Sequence, residues 1–178
     1  MSKGSTRRLF FALWPDDPTR QALLHWQTHN LPGDVRWQHR ADLHMTLHFL
    51  GQTPEGQLDA LCSLGAGAAG TRFALVLDEI GHWRRPQILW AGSGSVPGEL
   101  PELHARLGEG LHQLGIATET RTYRPHVTLA RKVRELPPVQ PLSPLTWPVT
   151  RLALVESRPG DAPMYQPVAQ WPLSQGKS

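Results

Sequence analysis

The sequence predicts a mixed fold of short strands and a few amphipathic helices. Three observations carry the prediction. Apolar runs of strand length alternate along the chain with amphipathic stretches of helical spacing. The tetrad His-x-Thr-Leu occurs twice, at 44–47 and 126–129, each time on a strand-like segment in a half that also offers a helix and further strands. A chain of 178 residues with 39% hydrophobic content suffices for one packed domain, or two small lobes sharing a core.

The elements follow in order. "RLFFALW" is an apolar run suited to a buried strand. "PDDP" then supplies acids and a first-turn proline for a helix through "TRQALLHWQTH", with Leu23, Leu24 and Trp26 on its apolar side. "LPGD" breaks it, and "VRWQ" reads as an edge strand. The first tetrad strand is expected over Leu43–Leu50, stopping at Gly51. Thr53, Pro54 and Glu55 start a helix whose Leu58, Leu61, Cys62 and Leu64 keep helical spacing; its tail, "GAGAAG", lacks anchors and should fray. "FALVLDEIGHW" and "QILWAGS" form a hairpin around "RRP". Leu100, Leu103, Leu107, Leu111 and Leu114 define an amphipathic helix capped by Gly115. The second tetrad strand spans Tyr123–Ala130, and the proline-rich "ELPPVQPLSPL" after it is an extended connection. "TRLALVES" and "YQPVAQWPL" close the chain, Pro167 marking the last as an edge strand.

Composition narrows the partners. The net charge is only +3, yet just three of the 18 basic residues are lysine. The planar guanidinium fork suits phosphate, so a phosphate-bearing partner competes with codon bias as the reason for so much arginine. One cysteine, Cys62, excludes an internal disulfide and fits a reducing compartment. Leu9–Trp14 is too short for a signal-peptide core, and no segment approaches the ~20 apolar residues of a membrane span. A soluble cytoplasmic protein is expected.

Side chains on a strand alternate between faces. His44, Thr46 and His48 should therefore share one face, with Met45, Leu47 and Phe49 on the other. Likewise His126 and Thr128 oppose Val127 and Leu129. Each strand turns an apolar side to a core and a His/Thr side to something polar. Ordinary exposed strand residues are the competing reading, since Thr is a good strand former. Roughly 0.1 chance matches to the tetrad are expected at this composition, so a coincidental pair is rare. Two histidines across a cleft make an acid–base pair near neutrality. They suit in-line displacement at phosphorus, one taking a proton from the nucleophile, the other protonating the leaving oxygen. Thr hydroxyls can donate to the phosphate oxygens, and Arg36, Arg40, Arg121, Arg124, Arg131, Lys132 and Arg134 surround the two tetrads.

In these residues the chain resembles the two-histidine (2H) phosphoesterase superfamily, and within it the bacterial RNA 2′,3′-cyclic phosphodiesterases, also called 2′-5′ RNA ligases. "RLFFALWPDD" is similar to the family's first strand and helix start, "HMTLHFLG" and "YRPHVTLARK" to its two signatures, and "LALVESRPGDAPMYQPVAQWPL" to its closing strands. The resemblance implies one α+β domain over residues 1–178, with two pseudo-symmetric lobes of antiparallel strands and helices. Between them lies a central cleft lined by the two His-x-Thr strands. It implies hydrolysis of RNA 2′,3′-cyclic phosphate ends to 2′-phosphomonoesters with neither metal nor other cofactor, and the reverse 2′-5′ ligation. Carried over, His44 and His126 are the catalytic pair, Thr46 and Thr128 hold phosphate oxygens, and Arg131 binds the phosphate. Strict alternation puts Arg131 on the face of Val127 and Leu129, so strand twist or a break after Ala130 has to turn it inward. Water would attack opposite the 3′ oxygen, with His44 as acid and His126 as base. The implied partner is RNA with a 2′,3′-cyclic phosphate end, tRNA or its fragments among the candidates. Neither a membrane nor an obligate protein partner is implied, and the expected state is a monomer.

Other groups carry less. On a strand His44 and His48 stand about 13 Å apart, too far for both to ligate one ion at ~2 Å. His48 is expected at the cleft edge or in solvent, and His25, His29, His39, His82, His104 and His112 in surface or structural roles. Trp26, Trp90 and Trp171 are expected in the core, whereas Trp37 and Tyr123, near the tetrads, could stack on a base. Ser93, in "GSGS", lacks a nucleophile's context, and the terminal "GKS" is a tail. Two competing functions remain at this point: a non-catalytic RNA-end binder, and a relative acting on cyclic ADP-ribose phosphates or 2′-5′ oligoadenylate.

Overall fold

The two tetrad strands lie side by side in the middle of one antiparallel sheet. The computed structural model describes residues 4–30 and 35–175, so the "LPGD" break and the "GKS" tail lie outside the described residues. The elements are β1 (Thr6–Leu13), α1 (Asp17–Asn30), β2 (Arg36–Trp37), β3 (Met45–Pro54), α2 (Leu58–Ala68), β4 (Phe73–Leu77), β5 (Glu79–Trp83), β6 (Ile88–Gly92), α3 (Glu99–Gln113), β7 (Val127–Arg131), β8 (Leu145–Val149), β9 (Arg151–Ser157) and β10 (Tyr165–Pro172). The main sheet runs β10-β9-β1-β3-β7-β6-β5, while β4 and β8 pair apart from it. This is the expected α+β architecture.

β1 is buried from Leu9 to Leu13, as befits an apolar run between two neighbours. Its odd residues, Leu9, Phe11 and Leu13, join the main core beneath the helices; Phe10 and Ala12 belong to a small second cluster with Ala153, Val155 and Tyr165 on the opposite face. α3 buries the predicted Leu100, Leu103, Leu107 and Leu111, and Gly115 at φ +76° ends it. α2 extends through part of the "GAGAAG" tail because Gly65 lets Trp171 approach: a Cβ there would collide with the indole. No helix among the described residues is long and apolar enough to cross a membrane.

β3 and β7 share one register pair, Met45 opposite Val127, and then diverge. The gap beside the end of β7 is filled by β2, with Trp37 opposite Ala130 and Arg36 opposite Arg131. The tetrads thus sit about a local twofold axis, with β1, β9 and β10 on one side and β6 and β5 on the other.

Three expectations about the elements need correction. β3 does not stop at Gly51; Leu50 falls out of register with β1 and Gly51 takes φ +68°, so the glycine bends the strand. "FALVLDEIGHW" is two strands in different sheets, parted at Asp78, whose Oδ1 accepts the Gly94 N–H at 2.9 Å. The second tetrad strand begins at Val127, because Tyr123 is held elsewhere, as described below.

Candidate active site

Met45 and Val127 are both wholly buried, so the His and Thr that flank them project from the other face of the sheet. Continuing the antiparallel register by one residue sets His44 beside Thr128 and Thr46 beside His126. Each tetrad then breaks alternation at its leucine. Ala12 pairs with Thr46 and Phe11 with His48, leaving Leu47 as a bulge; Trp90 pairs with Thr128 and Leu89 with Ala130, leaving Leu129 as a bulge. The fifth residue after each histidine therefore returns to the His/Thr face. In β3 that residue is Phe49, and in β7 it is Arg131.

The bulge resolves the position of Arg131. Its turn inward comes from Leu129, one residue before the expected break after Ala130, and its charge acts on both His44 and His126. The same device overturns the placing of His48. That side chain lies on the helix side, 7% exposed, its Nε2 2.8 Å from the His104 carbonyl of α3.

Both bulges are held from the helix layer. Gln27 of α1, 2% exposed, donates from Nε2 to the Leu129 carbonyl at 3.0 Å, which also accepts the Gln38 N–H at 2.8 Å. Behind the first tetrad the Tyr123 hydroxyl donates to the Thr46 carbonyl at 2.9 Å. Its ring stacks on His104, which stacks in turn on His48, with centroids 4.0 Å apart in both pairs. Burial pushes the Tyr123 phenol well up and holds the His104 imidazole down at about 4. Tyr123 is a brace, not a stacking platform. Trp37 also faces the helix layer, opposite Ala130 and edge-on to Trp26 at 5.9 Å. Conversely Trp90, expected in the core, lies half-buried on the His/Thr face across Gly81.

The two imidazoles are fixed alike. His44 Nδ1 donates to the Asp42 carbonyl at 2.7 Å, and His126 Nδ1 to the Arg124 carbonyl at 2.8 Å. A carbonyl only accepts, so each neutral ring carries its proton on Nδ1 and leaves Nε2 as a lone pair. His44 Nε2 accepts from the Thr46 hydroxyl at 2.9 Å. Around His44 stand Phe10, Trp14 and Tyr165, with centroids at 5.0, 5.7 and 4.8 Å. His126 is more open and meets the edge of Trp83 at 4.6 Å. Burial lowers His44 to about 4, with further lowering from the Arg131 and His126 charges. Burial lowers His126 too, again helped by Arg131. Both rings are therefore neutral near pH 7 in the free protein.

Beside His44 a groove of about 260 Å³ is lined by Arg8, Phe10, Phe49, Ser157 and Tyr165. Phe49 is 53% exposed at its rim. Sequence reading missed this residue, because strict alternation hides it in the core. Among the described residues, no group of three or more His, Cys, Asp or Glu side chains is placed to hold a metal ion. The face offers two lone pairs, two hydroxyls, one guanidinium and flat aromatic surface: a set suited to proton transfer at a phosphate ester.

Comparison with known proteins agrees. The sequence profile of the 2′-5′ RNA ligase superfamily matches residues 15–161. The RNA 2′,3′-cyclic phosphodiesterase of Escherichia coli K12 is 31% identical over 173 residues, covering 95% of this chain and 98% of that protein. The protein of the same name from Thermus thermophilus is 34% identical over 170 residues, 84% of this chain and 81% of that one. The crystal structure of E. coli LigT complexed with 3′-AMP superposes with a TM-score of 0.88 at 29% identity, covering 96% of this chain and 99% of that one.

Proposed function

The chain belongs to the 2′-5′ RNA ligase superfamily, and from that premise we propose that it hydrolyses RNA 2′,3′-cyclic phosphate ends to 2′-phosphomonoesters, with His44 and His126 as the acid–base pair. The observation that carries this reading is the twofold arrangement about Met45 and Val127, which turns both Nε2 atoms and both Thr hydroxyls to one face.

The cyclic phosphate sits between the imidazoles. Thr46 and Thr128 donate to its non-bridging oxygens, and Arg131 adds a charge-assisted bond. Its negative charge raises both histidines, so the acid gains its proton as the substrate binds. The base has to hold a water, and His126, the more open ring, fits that role. His44, 8% exposed within its aromatic box, fits protonation of the substrate's own oxygen. Water attacks phosphorus as His126 Nε2 takes its proton; the P–O3′ bond breaks as His44 gives its proton to O3′. The product carries a 2′-phosphate and a 3′-hydroxyl. With a 5′-hydroxyl end in place of water, His126 takes the hydroxyl proton as its oxygen bonds to phosphorus. The P–O3′ bond breaks with His44 protonating O3′, and the product is the 2′-5′ linkage of ligation. Phe49 offers a stacking face for the terminal base. No step calls for a metal or another cofactor. The protein acts as a monomer and in the cytoplasm, a reducing compartment that its single cysteine suits.

The test is a product assay in EDTA, using an oligonucleotide ended by a 2′,3′-cyclic phosphate, with His44→Ala and His126→Ala alongside. Formation of 2′-phosphate by the intact protein, with losses of at least ~10²-fold in each variant, is expected. A 3′-phosphate product would overturn the orientation. Tight retention of the end without turnover would favour a binder.

A further inference from the structure

Beyond the cleft, five exposed cations gather at one end of β5, β6 and β7: Arg84 and Arg85 in the hairpin tip, Lys132 and Arg134 after β7, and Arg36 on β2. Topology places them together. β5 and β6 pair up to Trp83 opposite Ile88, Leu89 pairs with Ala130, and Arg36 pairs with Arg131, which also puts Arg36 on the cleft side. The chain holds this lip in place by cross-links: the Val133 N–H donates to the Gln87 carbonyl at 2.9 Å, and His82 Nε2 donates to the Val133 carbonyl at 2.6 Å.

Backbone strain is concentrated here. Among the described residues, the only non-glycine residues with positive φ are Gln87 at 68° and Lys132 at 59°, one on each side of that Val133–Gln87 bond. Left-handed backbone is unfavourable for such residues and persists where function or surroundings demand it. Both such residues lie among the lip's cations, Gln87 two residues after Arg85 and Lys132 itself one of the five. The ion pairs among the described residues, Arg7–Glu55, Arg20–Asp17 and Arg158–Glu156, neutralise arginines elsewhere and none of the lip. In sequence Glu135 follows Arg134 directly, and Asp34 stands two residues before Arg36. Strain spent on a basic lip that has no ion pair among the described residues points to a polyanion.

Trp83 links the lip to the cleft: its ring meets His126 at 4.6 Å, and the next residue is Arg84. From His126 to Arg131 the strand covers about 17 Å. A mononucleotide seated at the histidines does not reach the lip, whereas a strand leading to it does. We propose that this lip binds the sugar–phosphate backbone of the RNA upstream of the reacting end, so that the preferred substrate is an oligonucleotide and not a cyclic mononucleotide. The inference rests on the phosphodiesterase reading for its substrate, but its test does not depend on turnover.

Two measurements use the whole protein and the triple variant Arg84→Gln/Arg85→Gln/Arg134→Gln. The first is anisotropy with a labelled oligonucleotide ended by a 2′-phosphate, titrated across salt. The expected result is binding at least ~10-fold weaker in the variant, with a log–log salt slope smaller by about 2, as loss of three single-strand phosphate contacts requires. The second compares kcat/KM on a cyclic-phosphate oligonucleotide and on a cyclic mononucleotide, the loss falling on the oligonucleotide alone. Equal affinity and equal salt slope in variant and parent would overturn the lip, as would an equal loss on both substrates. Should the parent turn over neither substrate, the phosphodiesterase reading falls while the anisotropy still decides the lip.

Discussion

Asp42 reaches across the sheet to Tyr165: its Oδ1 accepts the Tyr165 N–H at 3.0 Å and its Oδ2 accepts the Met164 N–H at 3.1 Å. The same residue's carbonyl fixes Nδ1 of His44 at 2.7 Å, and Tyr165 packs edge-on against that imidazole at 4.8 Å. One buried carboxylate therefore ties the turn before β10 to the box around His44. Asp42→Ala leaves two N–H groups without partners and should cost about 2–4 kcal/mol in urea unfolding. Asp42→Asn opposes an amide N–H₂ to one of them and should be nearly as costly. Wild-type stability in both variants would show that water replaces the carboxylate.

The pH profile follows from the two lowered imidazoles. A group whose pKa is lowered gives up its proton earlier as pH rises. With His44 at about 4 and His126 below its ordinary value in the free protein, the singly protonated pair is most populated on the acid side of 6.5. The bell for kcat/KM, which reports free enzyme, should centre below pH 6.5. The bell for kcat should be displaced upward, since bound phosphate raises both groups. Coincident profiles, or a single sigmoidal limb, would count against the pair.

Acid stability obeys the same sign. His44, His48, His104 and His126 are all lowered from 6.5, so the unfolded chain binds more protons than the folded one below that pH. Stability from these groups is present above 6.5 and is lost as pH falls toward 4. For His44 alone, shifted to about 4, the loss is roughly 3 kcal/mol. Thermal unfolding between pH 7 and 4 should show a falling Tm, and the fall should lessen in His104→Phe, which keeps a ring between His48 and Tyr123.

Much of the architecture was legible because apolar period and tetrad sequence report directly on which face is buried. Leu100 to Leu111 and the run Leu9–Leu13 needed nothing more. Alternation failed just past each tetrad. A bulge depends on the partner strand and on a side chain from another layer, such as Gln27, 102 positions away from Leu129. No local signal in "HMTLHFL" announces it. Hence alternation exchanges His48 and Phe49 between faces, while the phosphate-binding role of Arg131 rests on the family resemblance more than on geometry.

Phe49 offers a test of the first bulge. A side chain 53% exposed contributes little to folding, so Phe49→Ala should shift stability by no more than about 0.5 kcal/mol. Stacking on a base is worth about 1–3 kcal/mol. KM for a nucleotide substrate should therefore rise ~10-fold with kcat little changed. A fall in kcat alone would mean that the ring shapes the His44 box through Phe10, 5.7 Å away, and takes no base.

Gln27 tests the second bulge without touching substrate. In Gln27→Leu the Leu129 carbonyl keeps the Gln38 N–H at 2.8 Å but loses the side-chain donor at 3.0 Å. The isosteric apolar replacement should cost about 1 kcal/mol of stability. If that bond holds the bulge, its loss lets the end of β7 drift back toward plain alternation, carrying Arg131 away from the phosphate. The expected signature is a ~10-fold drop in kcat/KM with weaker binding of inorganic phosphate, and pH limbs moved upward because Arg131 no longer depresses His44 and His126. A variant equally destabilised but unchanged in phosphate binding and pH limbs would make Gln27 a packing residue and leave the bulge to the backbone alone.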